Sequence, residues 1–129
     1  MHHSHLLRKG RVSIPLHYYV ITAVTFERKN IFKNHLAAKI AIQSLYNLEQ
    51  KEAIKIICYV LMPDHLHCQF QLLEHSSLSQ IVKQFKGSTA YSLNKTLNIK
   101  NVWLKGYYDH NIRNEKDLIK QARYIVANP

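Results

Sequence analysis

The chain has 129 residues, nearly half of them hydrophobic, which is enough for one ordinary core but too few for two separate domains. Eighteen Lys and Arg stand against eight Asp and Glu, so the formal charge is +10. An excess of this size favours a polyanionic partner, most often nucleic acid. No apolar run approaches the ~18 residues that a membrane span needs, and the start lacks the hydrophobic region of a secretion signal. Composition therefore excludes a membrane protein.

The two cysteines, Cys58 and Cys68, lie inside apolar segments and belong to no metal or redox motif. Such residues are typical of reduced core thiols. Together with the positive charge, they predict a cytoplasmic protein that associates with the nucleoid.

Residues 1–13 are expected to form a basic N-terminal arm, and residues 14–129 the folded domain. Periodicity then predicts the elements of that domain in chain order. These are a strand over 16–26, a polar turn over 27–30, a helix over 33–50, a strand over 54–62, a tight break at 63–64, a strand over 65–73, a helix over 77–95, a short strand over 106–112 and a last helix that Asn114 caps.

The predicted order is β-α-β-β-α-β-α, which matches a ferredoxin-like split βαβ arrangement with an added C-terminal helix. We therefore expect an α+β fold in which helices pack on one face of an antiparallel sheet. Many functions use this fold, so it does not identify one by itself.

The segment His65-Leu66-His67 is the sharpest local pattern. On a strand, residues i and i+2 project from the same face, so two imidazoles can hold one cation while the residue between them enters the core. Gln69 and Gln71 continue the same polar face, which we expect to be an open working surface. Two ligands are too few for tight binding, so a third ligand is needed from elsewhere. The alternative is a solvated strand face that carries two histidines by chance.

The last predicted helix has an apolar arc formed by Leu118, Ile119, Ala122, Ile125 and Val126 at ~100° per residue. Tyr124 is expected to project almost opposite this arc. Asn128 lies one turn further on a neighbouring part of the same face. A phenol can act as a nucleophile and an amide oxygen can ligate a hard cation, so this helix could complete a site for phosphodiester cleavage if it meets the histidine pair.

Three segments together resemble a known family: YVLMPDHLHCQF, then VWLKGYYDHNIR, then ARYIVANP at the end. They are similar in sequence and order to the single-domain tyrosine transposases of the HUH superfamily, and most of all to the REP-associated tyrosine transposases. The resemblance extends over residues 14–129.

The resemblance implies a metal-dependent endonuclease and strand transferase for hairpin-forming single-stranded DNA. Tyr124 would be the catalytic nucleophile and would form a 5′-phosphotyrosine intermediate. His65, His67 and Asn128 would bind a divalent metal, Mg²⁺ or Mn²⁺. The protein could act as a homodimer or as a monomer, because both occur among these relatives.

DNA contacts are predicted for residues of several elements. In the arm, Arg8, Lys9 and Arg11 could neutralise phosphates. Aromatic rings could stack on unpaired bases, and His110 is expected to help shape the site. The other candidates are Lys83, Lys86, Tyr107, Tyr108, Arg113 and Lys120.

Two alternatives stay open at this stage. The first is a non-catalytic module that binds single-stranded nucleic acid on a basic, aromatic sheet surface. The second is a metal hydrolase that uses bound water, in which Tyr124 has no chemical role. A covalent protein–DNA adduct that depends on Tyr124 would separate the transposase from both.

Overall fold

The computed structural model describes residues 13, 14 and 16–127. Arg8, Lys9, Arg11 and Asn128 therefore lie outside the described residues. The elements are β1 (Tyr18–Val24), α1 (His35–Gln50), β2 (Ile54–Met62), β3 (His65–Leu72), α2 (Leu78–Leu97), β4 (Tyr108–Ile112) and α3 (Glu115–Ala127), with short 3₁₀ turns at Phe26–Arg28 and Ile31–Lys33.

The predicted α+β fold is confirmed. The four strands form one antiparallel sheet in the order β2-β3-β1-β4, which is the ferredoxin-like order. The second strand has the predicted bounds, whereas β1 is two residues shorter at each end and β4 is two residues shorter at its beginning. Within the described residues, no helix combines the length and the apolar character needed to cross a bilayer.

The main core lies between one face of the sheet and the helices α1 and α2. Alternation along β3 sends every second side chain into this core, as predicted. Asn34 caps α1 through its side-chain oxygen, and Ser77 forms a capping box with Gln80 at the start of α2. The β3 residues that this core buries are Leu66, Cys68, Phe70 and Leu72.

The helix α3 packs against the opposite face of the sheet, where it contacts β2, β3 and β4. A second apolar cluster holds it there, and Ile125 is its central residue because its side chain is fully buried. The histidines of β3 lie on this same face. The fold therefore places the last helix beside the His-x-His motif.

Both cysteines are free, as predicted. Cys68 is fully buried in the main core, and burial raises the pKa of its thiol. Cys58 is half-buried beneath α3, where burial also raises its pKa. Neither environment stabilises a reactive thiolate.

Candidate active site

The two histidines of β3 share one face of the sheet. Leu66 between them is buried in the core, and the ring centroids of His65 and His67 are 4.7 Å apart with the planes at 77°. Two imidazoles at this separation can approach one small cation together. Within the described residues, no group of three or more His, Cys, Asp or Glu side chains is placed to hold a metal. The pair therefore needs a ligand of another type, or one from outside these residues.

Asp64 fixes the orientation of His65. Its Oδ1 lies 2.7 Å from Nδ1 of His65, and this hydrogen bond, with the help of Arg28, holds the pKa of the Asp64 carboxyl below its ordinary value. An ionised carboxylate only accepts, so Nδ1–H of the imidazole donates. In the neutral form of this imidazole, the lone pair of His65 is then on Nε2. A carboxylate behind a histidine is the usual arrangement around a metal-binding imidazole.

Arg28 in turn supports Asp64, because its Nε–H donates to Oδ2 at 3.0 Å. The backbone at Glu27 and Arg28 adopts positive φ values of 54° and 53°. Such a conformation is unfavourable for residues other than glycine. The strained turn brings the guanidinium to the Pro63-Asp64 break, so two side chains in series, Arg28 and Asp64, position His65.

His67 is oriented by the neighbouring strand. Oγ1 of Thr22 lies 2.8 Å from its Nδ1. In the tautomer in which Nδ1–H donates to this oxygen, Nε2 carries the lone pair. Burial, followed by the charge of His65, lowers the pKa of His67 to about 4. The imidazole is therefore neutral near pH 7, which is the state that a metal requires.

Tyr124 lies beside the histidine pair of the same chain. Its ring centroid is 6.3 Å from that of His67, with the planes at 73°. The side chain is 57% exposed, so the ring lies at the surface beside His67 and is not packed in the interior. The next residue, Ile125, anchors α3 to the sheet and so fixes where Tyr124 stands.

The first turn of α3 is held by a polar clamp around Asp117. Nε2 of His110 lies 2.9 Å from its Oδ2, and the backbone N–H of Arg113 donates to the same oxygen at 3.2 Å. Asn114 caps the helix, as predicted, by accepting from the N–H of Asp117. Burial raises the pKa of Asp117, but the hydrogen bonds from His110, Arg113 and Gln121 outweigh it and lower the pKa overall. Through this clamp, His110 positions the helix that carries Tyr124.

Asp117→Asn is expected to destabilise the protein by about 1–3 kcal/mol near neutral pH, because it weakens hydrogen bonds to a charged acceptor. A lowered folded pKa stabilises the fold above the unfolded pKa of about 3.9, and that stabilisation is lost as pH falls through the folded value. Urea unfolding followed by circular dichroism should show the difference between the two proteins shrinking below about pH 4. Glu115→Gln, an exposed change in the same turn, is the control. A difference independent of pH would contradict the assignment.

Two expectations about this face were wrong. Gln69 is fully buried, because α3 covers it and its side-chain amide donates to the carbonyl of Leu118 at 3.4 Å. The polar face of β3 is therefore closed at Gln69, whereas the two histidines and Gln71 stay partly exposed. The apolar arc of α3 is also narrower than predicted, since Ile119 and Val126 are exposed and only its centre meets the sheet.

The remaining predicted DNA contacts form two groups: side chains that are exposed, and side chains that already contact other parts of the protein. Lys83, Arg113 and Lys120 are exposed. Nζ of Lys86 donates to two carbonyl oxygens of the segment before β4, and Tyr107 packs against the main core. The residues that sequence reasoning did not single out are Thr22, Arg28 and Asp64.

A family model described as "Transposase IS200 like" matches residues 13–128. Among curated proteins, the chain is 29% identical over 91 residues to the REP-associated tyrosine transposase of Escherichia coli, which covers 67% of this chain and 50% of that protein. It is 23% identical over 143 residues to an uncharacterized protein of Haemophilus influenzae, which covers 87% of this chain and 79% of that protein.

Solved structures share the fold. A REP-associated tyrosine transposase bound to a REP hairpin superposes with a TM-score of 0.77 at 22% identity, over 92% of this chain and 70% of that one. A Deinococcus radiodurans protein assigned as a transposase gives a TM-score of 0.61 at 18% identity, over 91% and 93% of the two chains. At these identities the likeness concerns the fold alone.

Proposed function

The chain belongs to the IS200-like transposase family, and on that premise we propose that it cuts and rejoins single-stranded DNA with Tyr124 as its nucleophile. The observation that carries the proposal is the position of this phenol beside His67 of its own chain. A buried phenol, or one remote from the histidines, could not reach a phosphate bound there.

The proposed reaction is a transesterification. The Tyr124 oxygen attacks the scissile phosphorus, the new O–P bond forms, and the bond from phosphorus to the 3′ oxygen breaks. The phenol gives up its proton and the departing 3′ oxygen gains one. The 5′ end then stays joined to the tyrosine, and a 3′-hydroxyl of a second strand can reverse the step and rejoin DNA. Lys120 is exposed one turn before Tyr124 and could stabilise its phenolate.

The histidine pair is suited to a divalent cation, Mg²⁺ or Mn²⁺, because a hydrogen bond at Nδ1 orients each imidazole and His67 is neutral. When bound, the cation would offset the negative charge that builds on the phosphate oxygens. We propose Asn128 as the third ligand on the family resemblance.

The proposed substrate is single-stranded DNA that folds into a hairpin. Two observations support it: the formal charge of +10 and the relation to proteins whose names specify REP elements, one of them bound to a REP hairpin. Exposed cations such as Lys83 and Arg113 would contact phosphates.

The decisive experiment uses a library of labelled DNA hairpins with randomised single-stranded flanks, incubated with the protein and Mn²⁺ or Mg²⁺. A transposase of the proposed type should give a labelled protein band that survives denaturing electrophoresis. Peptide mapping should then find the nucleotide on Tyr124. A water-using hydrolase would release free ends without an adduct, and a non-catalytic binder would leave the DNA intact.

Asp64→Asn is expected to weaken Mn²⁺ binding by about ten-fold or more, because a neutral amide is a poorer acceptor behind His65. Isothermal titration calorimetry measures this, with His2, His3 and His5 replaced by Ser in every sample so that they add no binding. Glu27→Gln is the matched control, since its exposed carboxylate lies in the same region and pairs with Lys29. An unchanged affinity in Asp64→Asn would mean that Asp64 does not position the ligand.

A further inference from the structure

A pocket of about 280 Å³ opens on the histidine face, one strand away from the pair. Thr22 and Val24 of β1 line it, together with residues 104–107 and Tyr108. In the sheet register, Thr22 pairs with His67 and Val24 pairs with His65. Directly paired residues of antiparallel strands project from the same side. The pocket therefore begins at the cross-strand neighbours of the two histidines.

The pocket lies close enough to the histidine pair for one nucleotide to reach from one to the other. Adjacent strands are 4.7–4.9 Å apart, so Tyr108, which pairs with Thr22, stands roughly 10 Å across the sheet from His67. Tyr124 approaches the same histidine from α3, which contacts β2, β3 and β4. A DNA strand with its phosphate at the histidines could place a neighbouring base in the pocket.

The side chains of the pocket suit a flat, partly apolar ligand. The ring of Tyr108 is 45% exposed and projects from the same side as Thr22. Val24 offers an apolar surface, and Thr22 a hydroxyl. An exposed aromatic ring is a platform on which any base can stack. Tyr107 contributes to the wall, although it also packs against the main core.

The loop of residues 104–107, which lines the pocket, is held in place by hydrogen bonds with Lys86 and Val24. Nζ of Lys86 donates to the carbonyl oxygens of Leu104 at 2.7 Å and Gly106 at 2.6 Å. The N–H of Leu104 also donates to the carbonyl of Val24 at 2.9 Å. Gly106 has a φ of 84°, a conformation that L side chains rarely adopt. One ammonium thus fixes a sharply bent segment, and the pocket is formed before DNA binds.

We propose that this pocket binds one nucleobase of the strand adjacent to the phosphate at the histidine pair. Tyr108 stacks on the base, and Lys86 is a positioning residue that shapes the loop without touching DNA. The inference rests on the proposed function for the path of the strand, but binding of the base requires no cleavage.

The test uses Tyr124→Phe protein, so that no strand is cut, and single-stranded DNA in which 5-iodouracil replaces thymine. Irradiation joins this base to aromatic rings that stack on it, and mass spectrometry identifies the residue. We expect the main crosslink at Tyr108 and little at Tyr91, which is 66% exposed on α2 across the sheet. Crosslinks at Tyr91 as frequent as at Tyr108 would overturn the proposal.

Affinity measurements on the same DNA provide the second readout. Tyr108→Ala should weaken binding about ten-fold, whereas Tyr108→Phe, which keeps the stacking ring, should stay within about two-fold. Tyr91→Ala is the matched control and should change little. Thermal unfolding of each variant confirms that the fold is intact.

The role of Lys86 is tested by the crosslink at Tyr108. Lys86→Met should reduce it several-fold, whereas Lys95→Met, an equal loss of charge on the same helix, should not. An equal reduction in both variants would mean that Lys86 acts only through its charge. If the Tyr108 crosslink forms but the unsubstituted protein gives no adduct, the nucleophile is refuted and the pocket is kept. An adduct without that crosslink would refute the pocket alone.

Discussion

Tyr124→Phe is expected to abolish the covalent protein–DNA adduct, with a loss of at least about a thousand-fold in its rate of formation. The substitution removes only the oxygen that would attack phosphorus. The ring that contacts His67 remains, and because the side chain is 57% exposed, the fold should lose little stability. Affinity for uncut hairpin DNA should therefore stay within about two-fold of the unsubstituted protein.

Denaturing electrophoresis of labelled DNA measures the adduct, and fluorescence anisotropy measures the affinity. Tyr91→Phe is the matched control, because it removes the same hydroxyl from an exposed ring of α2. An adduct that persists in Tyr124→Phe would transfer the nucleophile to another residue. A loss of both adduct and affinity would instead mean that Tyr124 serves mainly to bind DNA.

His67→Ala is the second substitution with a large expected effect. It leaves one imidazole, which is too few to hold a divalent cation, so both Mn²⁺ affinity and adduct formation should fall by at least about a hundred-fold. His65→Ala should behave alike, because Asp64 orients that ring for the same purpose. The measurements are calorimetry with Mn²⁺ and the rate of adduct formation across a Mn²⁺ titration.

His35→Ala is the control for a general effect of losing a histidine, since that side chain is exposed at the start of α1. Both of its readouts should match the unsubstituted protein. Full activity of His67→Ala at the same Mn²⁺ concentration would exclude the histidine pair as the cation site. Lost activity with unchanged Mn²⁺ affinity would assign His67 a different role.

The strand that carries the histidines could be predicted from sequence because its pattern is local. Strict alternation from His65 to Leu72 decides which side chains face the core, and burial of Leu66 and Phe70 follows that rule. The same rule could not foresee that Gln69 is buried. Which element covers the second face depends on where α3 docks, and that is a tertiary property.

The apolar arc of α3 is a second case in which burial depends on how the helix docks and could not be predicted from periodicity alone. Helical periodicity groups Ile119 and Val126 with Ile125, but a single helix lying on a sheet buries only the centre of its arc. Tyr124 was expected opposite the core, and the structure exposes it beside His67. Periodicity therefore predicted that Tyr124 is exposed, whereas its position beside His67 was predicted only by the family resemblance.

The residues that orient the histidines needed the register of the sheet. Thr22 is 45 residues from His67 in sequence and becomes its neighbour only through the pairing of β1 with β3. Arg28 reaches Asp64 through a turn with positive φ that nothing in its sequence requires. Asp64 alone offered a local indication, because a carboxylate directly beside a candidate metal ligand is a natural hydrogen-bond partner.

The proposal that one chain supplies both the nucleophile and the histidine pair is tested most directly by mixing two inactive variants. His67→Ala keeps Tyr124, and Tyr124→Phe keeps both histidines. If each site is built within one chain, as the 6.3 Å ring separation supports, the mixture should form no more adduct than either variant alone. Recovery of the adduct in the mixture would show that the tyrosine of one chain serves the histidines of another, and would contradict the account.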